Sequence, residues 1–142
     1  MSALPHRAHS VDNMLTGQVI AVCYLGLAGF AAAQTEGLFK KLGAGSLRYS
    51  PLPGKKIRRV ALCSGAGGSF ATAAMAAGAD LYITGEARYH DMFNYPSMTV
   101  AVIGHYESEA CVMDIFDELL SGRFPELRIK KTSVNTNPVS YL

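Results

Sequence analysis

The chain has 142 residues, of which 49% are hydrophobic and 17% charged, and its formal net charge is +2. This length allows one globular domain with a proper core, and so small a charge argues against a nucleic-acid or membrane partner. The three cysteines, Cys23, Cys63 and Cys111, form neither a disulfide framework nor a Cys-x-x-Cys metal motif, so their usage is typical of a cytoplasmic protein.

The first 45 residues are predicted to be a poorly defined helical segment. They contain an uncharged apolar run from Val19 to Phe30, followed by three alanines. The run is too short for a membrane span, and we predict that it forms a buried, alanine-rich helix. The alternative is that residues 1–33 are a secretory signal, which would make the protein secreted. A second helix is predicted over Thr35–Leu42, ending at Gly43.

Residues 46–142 show strands and helices in alternation. Leu47–Pro53 is predicted to be a loop or edge strand because of its two prolines. Apolar runs predict strands over Ile57–Cys63, Asp80–Thr84 and Met98–Ile103, and strict alternation predicts an edge strand over Glu126–Thr132. Helices are predicted over Ser69–Ala77, Ala87–Phe93 and Glu107–Gly122. This order predicts an α/β domain with a mixed, largely parallel sheet and flanking helices.

The strongest chemical signal is the segment Gly104-His105-Tyr106-Glu107-Ser108-Glu109. It lies where a predicted strand passes into a helix, the place at which open α/β sheets bind their ligands. His105 and Glu109 are four residues apart, so they can project from one side of the helix and share a divalent metal ion. The alternative is a structural one, in which the histidine caps the helix and the glutamate interacts with its positive end.

Two other segments follow predicted strands. Glu86 and His90 come after the second strand, and either could orient a metal-bound water or carry a proton. The alternative places His90 and Asp91 on a solvated helix face. The glycine-rich run from Ser64 to Ser69 favours a tight strand-to-helix turn, with anion binding as the alternative; it matches no nucleotide-binding motif.

Lys55 to Leu142 resembles the carboxyl-terminal half of the NGG-interacting-factor-three-like proteins, also called GTP cyclohydrolase type-2 homologues. The resemblance rests on five segments in order: Lys56 to Ser69, Gly78 to Glu86, Arg88 to Asp91, Gly104 to Glu109 and Val134 to Pro138. It implies a toroidal homohexamer with two divalent metal ions per subunit, and it maps two of the metal ligands onto His105 and Glu109.

This chain departs from that pattern near its start. It has no adjacent His-His pair, and Ala8-His9-Ser10-Val11-Asp12 only approximates the family's other ligand element, which maps Asp12 as a third ligand. Since two close ions need several ligands to offset their repulsion, we expect at most one weakly held zinc, iron or manganese ion. The sequence thus predicts a truncated or divergent metal-dependent hydrolase. The alternative is a non-catalytic module that binds copies of itself or a complementary amino-terminal half.

Overall fold

The computed structural model describes residues 8–12, 19–24, 40, 43–51, 54 and 56–142, with only the backbone given for 8–12 and 19–24. The strands are β1 (Ala8–Asp12), β2 (Val19–Tyr24), β3 (Arg48–Tyr49), β4 (Arg59–Cys63), β5 (Leu81–Thr84) and β6 (Thr99–Val102). The α-helices are α1 (Ala71–Ala76), α2 (His105–Glu109) and α3 (Val112–Arg123). Two short 3-10 helices cover Gly68–Phe70 and Tyr89–Met92.

The six strands form one mixed sheet in the order β1-β2-β4-β5-β6-β3. The central strands β4, β5 and β6 are parallel, with Val60 opposite Leu81 and Leu81 opposite Thr99. The pairs β1–β2, β2–β4 and β3–β6 are antiparallel. The predicted α/β fold with a mixed sheet and flanking helices is therefore confirmed, and its parallel part consists of the three central strands.

The core lies on both faces of β5 and β6, in which every residue is buried. Side chains alternate between the faces of a strand, so Tyr82 packs on one side and Leu81 and Ile83 on the other. The Tyr82 side also contains Ala71 and Ala74 of α1. This two-sided burial explains why the strands are continuous apolar runs.

The amino-terminal prediction of a helix is wrong for the part that the structure describes. Val19–Tyr24 is the strand β2, and β1 precedes it. The remainder of the predicted helix, residues 25–33, lies outside the described residues, as does almost all of the predicted helix at 35–42. Since β2 pairs with β4, residues 8–12 and 19–24 belong to the same sheet as the rest of the chain.

Several other boundaries differ from the sequence predictions. Leu47–Pro53 contains the edge strand β3, as expected, and Ser69–Ala77 contains α1. The helix predicted over Glu107–Gly122 is two helices, α2 and α3, and that over Ala87–Phe93 is a 3-10 helix. The strand predicted over Glu126–Thr132 is wrong, because this segment is not a strand and pairs with none in the part of the chain that the structure describes. No helix among the described residues is long and apolar enough to cross a membrane.

Candidate metal site

Three chain segments meet at the carboxyl edge of the parallel strands. Gly65 follows β4, Glu86 follows β5 and His105 follows β6. Because β4, β5 and β6 are adjacent and parallel, the structure brings these segments together. The side chain of Glu109 reaches back over the first of them, since a methyl group placed on Gly65 would lie 2.5 Å from Glu109 Oε1.

The imidazole of His105 lies between two carboxylates. Its Nδ1 is 2.8 Å from Oε1 of Glu86, and its Nε2 is 3.5 Å from Oε2 of Glu109. The side chains of His105 and Glu109 are 47% and 50% exposed, so an ion from solvent can reach both. The structure thus brings together Glu86, His105 and Glu109, three of the five residues predicted for the site.

The short bond to Glu86 determines what the other ring nitrogen can do. When Nδ1 donates its proton to Glu86, the neutral ring has a lone pair on Nε2, which then faces the carboxylate of Glu109. Two electron-rich atoms at this separation attract a proton or a metal cation between them. Histidine ligands in metal sites are oriented in the same way, by a carboxylate that accepts the second ring proton.

Ser108 joins α2 to the glycine-rich turn. Its Oγ accepts a hydrogen bond from the Gly65 N–H at 2.9 Å and donates one to the His105 carbonyl at 2.8 Å. Gly104, at φ +102°, lets the chain enter α2 in a conformation that L side chains rarely adopt. A methyl group on Gly85 would lie 3.0 Å from His105 Cα. These small residues set the position of His105 above the strand ends.

The glycine-rich segment after β4 is a tight, internally bonded turn. Gly67 N–H donates to Thr84 Oγ1 at 3.1 Å, the Tyr82 hydroxyl donates to Gly67 O at 2.6 Å, and Glu86 N–H donates to Gly65 O at 2.9 Å. Burial raises the pKa of the Tyr82 hydroxyl, which therefore stays protonated. The turn interpretation is supported, and the turn also fixes the backbone of Glu86.

His90 lies apart from this cluster. Its ring packs edge-on against Tyr89, with the ring centroids 5.7 Å apart, and it is exposed on the 3-10 helix. Neighbouring Asp91 bonds to Arg88, and that hydrogen bond lowers the pKa of the Asp91 carboxyl. Among the described residues no hydrogen bond or ion pair joins His90 to Glu86, His105 or Glu109. The geometry favours the solvated helix face for His90.

Asp12 is the last residue of β1, and its side chain lies outside the described part of the chain. Its backbone pairs with Val19, and β2 runs antiparallel to β4, so Asp12 lies at the same edge of the sheet as the exits of β4, β5 and β6. β1 is two strands away from β4, a separation of about 10 Å. Asp12 stays a predicted ligand.

Comparison with known proteins decides the family. The family model for Duf34/NIF3 (NGG1p interacting factor 3) matches residues 22–138. The chain belongs to the Duf34/NIF3 family. The resemblance seen in the sequence is thereby confirmed.

Similar proteins of known sequence carry the name GTP cyclohydrolase 1 type 2 homolog. One from Staphylococcus aureus (strain MSSA476) is 28% identical over 138 residues, 93% of this chain and 34% of that protein. One from Clostridium perfringens (strain 13 / Type A) is 39% identical over 70 residues, 48% of this chain and 27% of that protein. The chain spans about a third of the length of the curated relatives that it matches.

Solved structures show the same fold. Staphylococcus aureus protein SA1388 superposes with a TM-score of 0.71 at 20% identity, over 87% of this chain and 37% of that one. A Bacillus cereus protein related to NIF3 gives a TM-score of 0.63 at 21% identity, over 88% and 35%. At this identity the likeness establishes the α/β architecture.

The donor set of this Duf34/NIF3 chain suits a metal ion only in part. His105 Nε2 and Glu109 Oε2 are atoms of the types that first-row metals bind, and they lie 3.5 Å apart. Within the described part of the chain, no group of three or more histidine, cysteine, aspartate or glutamate side chains could hold a metal ion. Zinc takes at least four ligands, so this pair must be supplemented by water or by other groups.

Sequence reasoning missed a second acid on α2. Glu107 accepts a hydrogen bond from Asn137 Nδ2 at 3.0 Å and is bonded to the hydroxyl of Tyr141. Loss of water contact and this bond raise the pKa of Tyr141. The carboxyl-terminal segment is thereby tied to the start of α2, beside His105. The motif from Val134 to Pro138 was recognised as a family landmark, but no spacing rule connects Asn137 to Glu107.

Proposed function

We propose that this chain carries part of a divalent-metal site that assists hydrolysis, with His105 and Glu109 as ligands and Glu86 as the residue that positions His105. The observation that carries the proposal is the imidazole held between two carboxylates, at 2.8 Å and 3.5 Å, at the exits of the parallel strands.

Each residue then has a defined task. Glu86 accepts the proton of Nδ1 and so keeps the Nε2 lone pair directed toward Glu109. Glu109 supplies negative charge to offset that of a cation. A bound divalent ion supplies Lewis acidity, which makes water a stronger acid and a better nucleophile near neutral pH. Glu86 is thus a positioning residue in this proposal, although the sequence alone also allowed it to carry a proton.

We further propose that the ion is held weakly. Two donors leave at least two coordination positions open, and the available candidates for them are water molecules, Asp12 and residues of another chain. We expect at most one ion of zinc, iron or manganese per chain.

Calorimetric titration with zinc or manganese tests the site. The wild-type protein should bind up to one equivalent, and the His105→Ala, Glu109→Ala double variant should lose this binding because both donors are gone. The matched control is His90→Ala, Glu118→Ala, which removes the same two functional groups outside the cluster. Binding that survives the first double variant rules the site out.

A second candidate function is association through α3. Its apolar side chains remain exposed at 38% to 62%: Val112, Ile115, Phe116, Leu119 and Leu120. An apolar stripe of this kind on a helix normally packs against another element. We propose that a second copy of this chain, or a complementary amino-terminal half, covers it.

Light scattering across micromolar concentrations tests this association. The wild-type protein should form oligomers, and Phe116→Asp, Leu119→Asp should shift it to monomers because two charges enter the apolar stripe. Ser121→Asp adds a charge to α3 outside the stripe and should leave the oligomers intact. A wild-type protein that stays monomeric contradicts the association.

A further inference from the structure

Arg48 lies at the same edge of the sheet as the candidate metal site. It is the first residue of β3, and it pairs with Val102, the last residue of β6. The chain leaves β6 at that point and reaches His105 three residues later. The register therefore places Arg48 beside the exit of β6, with its side chain exposed.

The guanidinium of Arg48 has no charged partner in the described part of the chain, unlike other cations nearby. Arg88 makes two side-chain hydrogen bonds to Asp91, at 3.1 Å and 3.0 Å. Lys131 binds Asp114 at 2.8 Å and Asp117 at 3.2 Å. No carboxylate that the structure describes lies within 4.0 Å of Arg48, so its charge is available to a ligand.

Two open clefts contain Arg48, and Glu86 lines both. The larger cleft, of about 680 Å³, also contains Ser69 and the Arg88–Asp91 pair. The smaller one, of about 240 Å³, also contains His105. The charges of Arg88 and Asp91 offset each other in the larger cleft, which leaves Arg48 as its remaining cation and Glu86 as its remaining carboxylate. A group bound by Arg48 there would lie next to Glu86, which contacts His105.

We infer that Arg48 binds an oxyanion group of the substrate, a phosphate or a carboxylate, beside the metal site. That the oxyanion belongs to a substrate rests on the proposed function, whereas the binding of an oxyanion by Arg48 does not. The planar guanidinium fork fits two oxygens of either group in a bidentate way, which a point charge cannot do. The competing role for Arg48 is that of a charge that protects an edge strand from pairing with another chain.

Titration of metal-free protein with inorganic phosphate, and separately with acetate, at constant ionic strength tests this inference. We follow the backbone amide signals around residues 48, 69 and 86 by NMR. Wild-type protein should show saturable shifts with at least one of the two anions, and Arg48→Met should weaken that binding about tenfold or more. The affinity of Arg48→Lys for the anion should lie between those of wild type and Arg48→Met, since lysine keeps the charge but lacks the planar guanidinium fork.

Arg128→Met is the matched control, because it removes an exposed arginine that lines neither cleft. It should bind the anion as wild type does. Phosphate binding without acetate binding identifies the group as a phosphate, and the reverse identifies a carboxylate. Equal binding by wild type and Arg48→Met, or wild-type shifts that chloride reproduces, overturns the inference and leaves the edge-protecting role.

The metal proposal and the oxyanion proposal can be tested independently of each other. Zinc titration of Arg48→Met should match that of wild type, because Arg48 is not among the metal donors. If zinc does not bind to wild type while phosphate or acetate binding still depends on Arg48, the metal proposal is wrong and the oxyanion site stands. If zinc binds to wild type and the anion binding is independent of Arg48, the metal proposal stands and the oxyanion site is wrong.

Discussion

Glu86 and His105 are 19 positions apart in the sequence, yet their side chains share a bond of 2.8 Å. The pairing of His105 with Glu109 could be predicted, because residues four apart on a helix share a side. The contact with Glu86 depends on β5 and β6 being parallel neighbours, and no local pattern encodes that neighbourhood. At the scale of single residues, the sequence therefore predicted that His105 and Glu109 lie side by side, and it left open how the imidazole is oriented.

Removal of the Glu86 carboxylate should weaken metal binding without removing a ligand. In Glu86→Ala the His105 ring loses the acceptor for its Nδ1 proton, and we expect the affinity for zinc to fall about 10- to 100-fold, as it does when outer-shell partners of histidine ligands are removed. Nitrogen-15 NMR of the imidazole should show the Nδ1-protonated form in wild type and a shift toward the Nε2-protonated form in Glu86→Ala.

Two further variants make this measurement specific. Glu86→Gln keeps an acceptor oxygen near Nδ1 and should retain more of the wild-type proton distribution than Glu86→Ala. Glu126→Ala removes an exposed carboxylate far along the chain and should change neither the proton distribution nor the zinc affinity. An unchanged imidazole spectrum in Glu86→Ala would show that Glu86 does not position the ring.

At the scale of elements, β-branched apolar runs were reliable where the strand is buried on both faces. They identified the ends of β4, β5 and β6 to within two residues. The same pattern, Val19-Ile20-Ala21-Val22, was present in β2, but the alanines that follow favoured a helix in the sequence analysis. The error arose because helix and strand propensities compete in short apolar runs, and the pairing with β4 decides between them.

The strand predicted from the alternating side chains of Glu126–Thr132 was wrong for a different reason. Alternation predicts which side chains would share a face, but a strand also needs a neighbouring edge with which to pair. The outer edge of β6 is already occupied by β3, through Arg48 opposite Val102 and Tyr49 opposite Ala101. The segment is held instead by side chains, such as Lys131 on Asp114.

The glycine-rich turn and β5 form one unit, and the Tyr82 hydroxyl joins them. This buried hydroxyl donates to Gly67 O at 2.6 Å. Tyr82→Phe removes the bond, and we expect a loss of about 1–2 kcal/mol in the free energy of unfolding, measured in urea. Tyr89→Phe, at a side chain that is 69% exposed, should change the free energy of unfolding by less than about 0.5 kcal/mol.

The same tyrosine gives the stability a dependence on pH. Burial raises the pKa of Tyr82, so the folded protein keeps a proton that the unfolded chain loses above about pH 10. The stabilisation of the folded protein that comes from this raised pKa is fully present below about pH 10 and is lost as the pH rises further. The wild-type advantage over Tyr82→Phe should therefore shrink above about pH 10. Equal stability of the two proteins at neutral pH would mean that the hydroxyl bond contributes nothing.

At the scale of the whole molecule, apolar side chains fall into two groups. Those of β5 and β6 are buried in the sheet, whereas those of α3 and of the following segment are exposed, including Phe124 and Leu127 at 42% and 52%. The apolar residues of α3 recur at the helical spacing that is typical of a helix packed on a core. This spacing could predict the helix and its apolar stripe, but it could not indicate that no other part of the described chain covers that stripe.

Amide hydrogen exchange should reproduce this division. The amides between β5 and β6 are buried and bonded, for example Thr99 N–H to Asp80 O at 2.9 Å and Ile103 N–H to Thr84 O at 3.0 Å. They should exchange most slowly, at rates set by global unfolding. Side chains tie residues 126–142 to α2 and α3, but their backbone amides make local bonds such as Asn137 N–H to Asn135 Oδ1, and these amides should exchange fastest. In dilute protein the amides of α3 should exchange at rates between these extremes, because α3 is hydrogen-bonded as a helix but water reaches it from most sides.

Protein concentration separates the properties of a single chain from those of an assembly. If a second copy covers the apolar stripe, exchange in α3 should slow by a clear factor as the concentration rises, while β5 and β6 keep their rates. Phe116→Asp, Leu119→Asp should abolish this dependence, and Ser121→Asp should retain it. Exchange in α3 that is independent of concentration, and as slow as in β5, would mean that the helix is stable without a partner and that its exposed apolar side chains do not serve association.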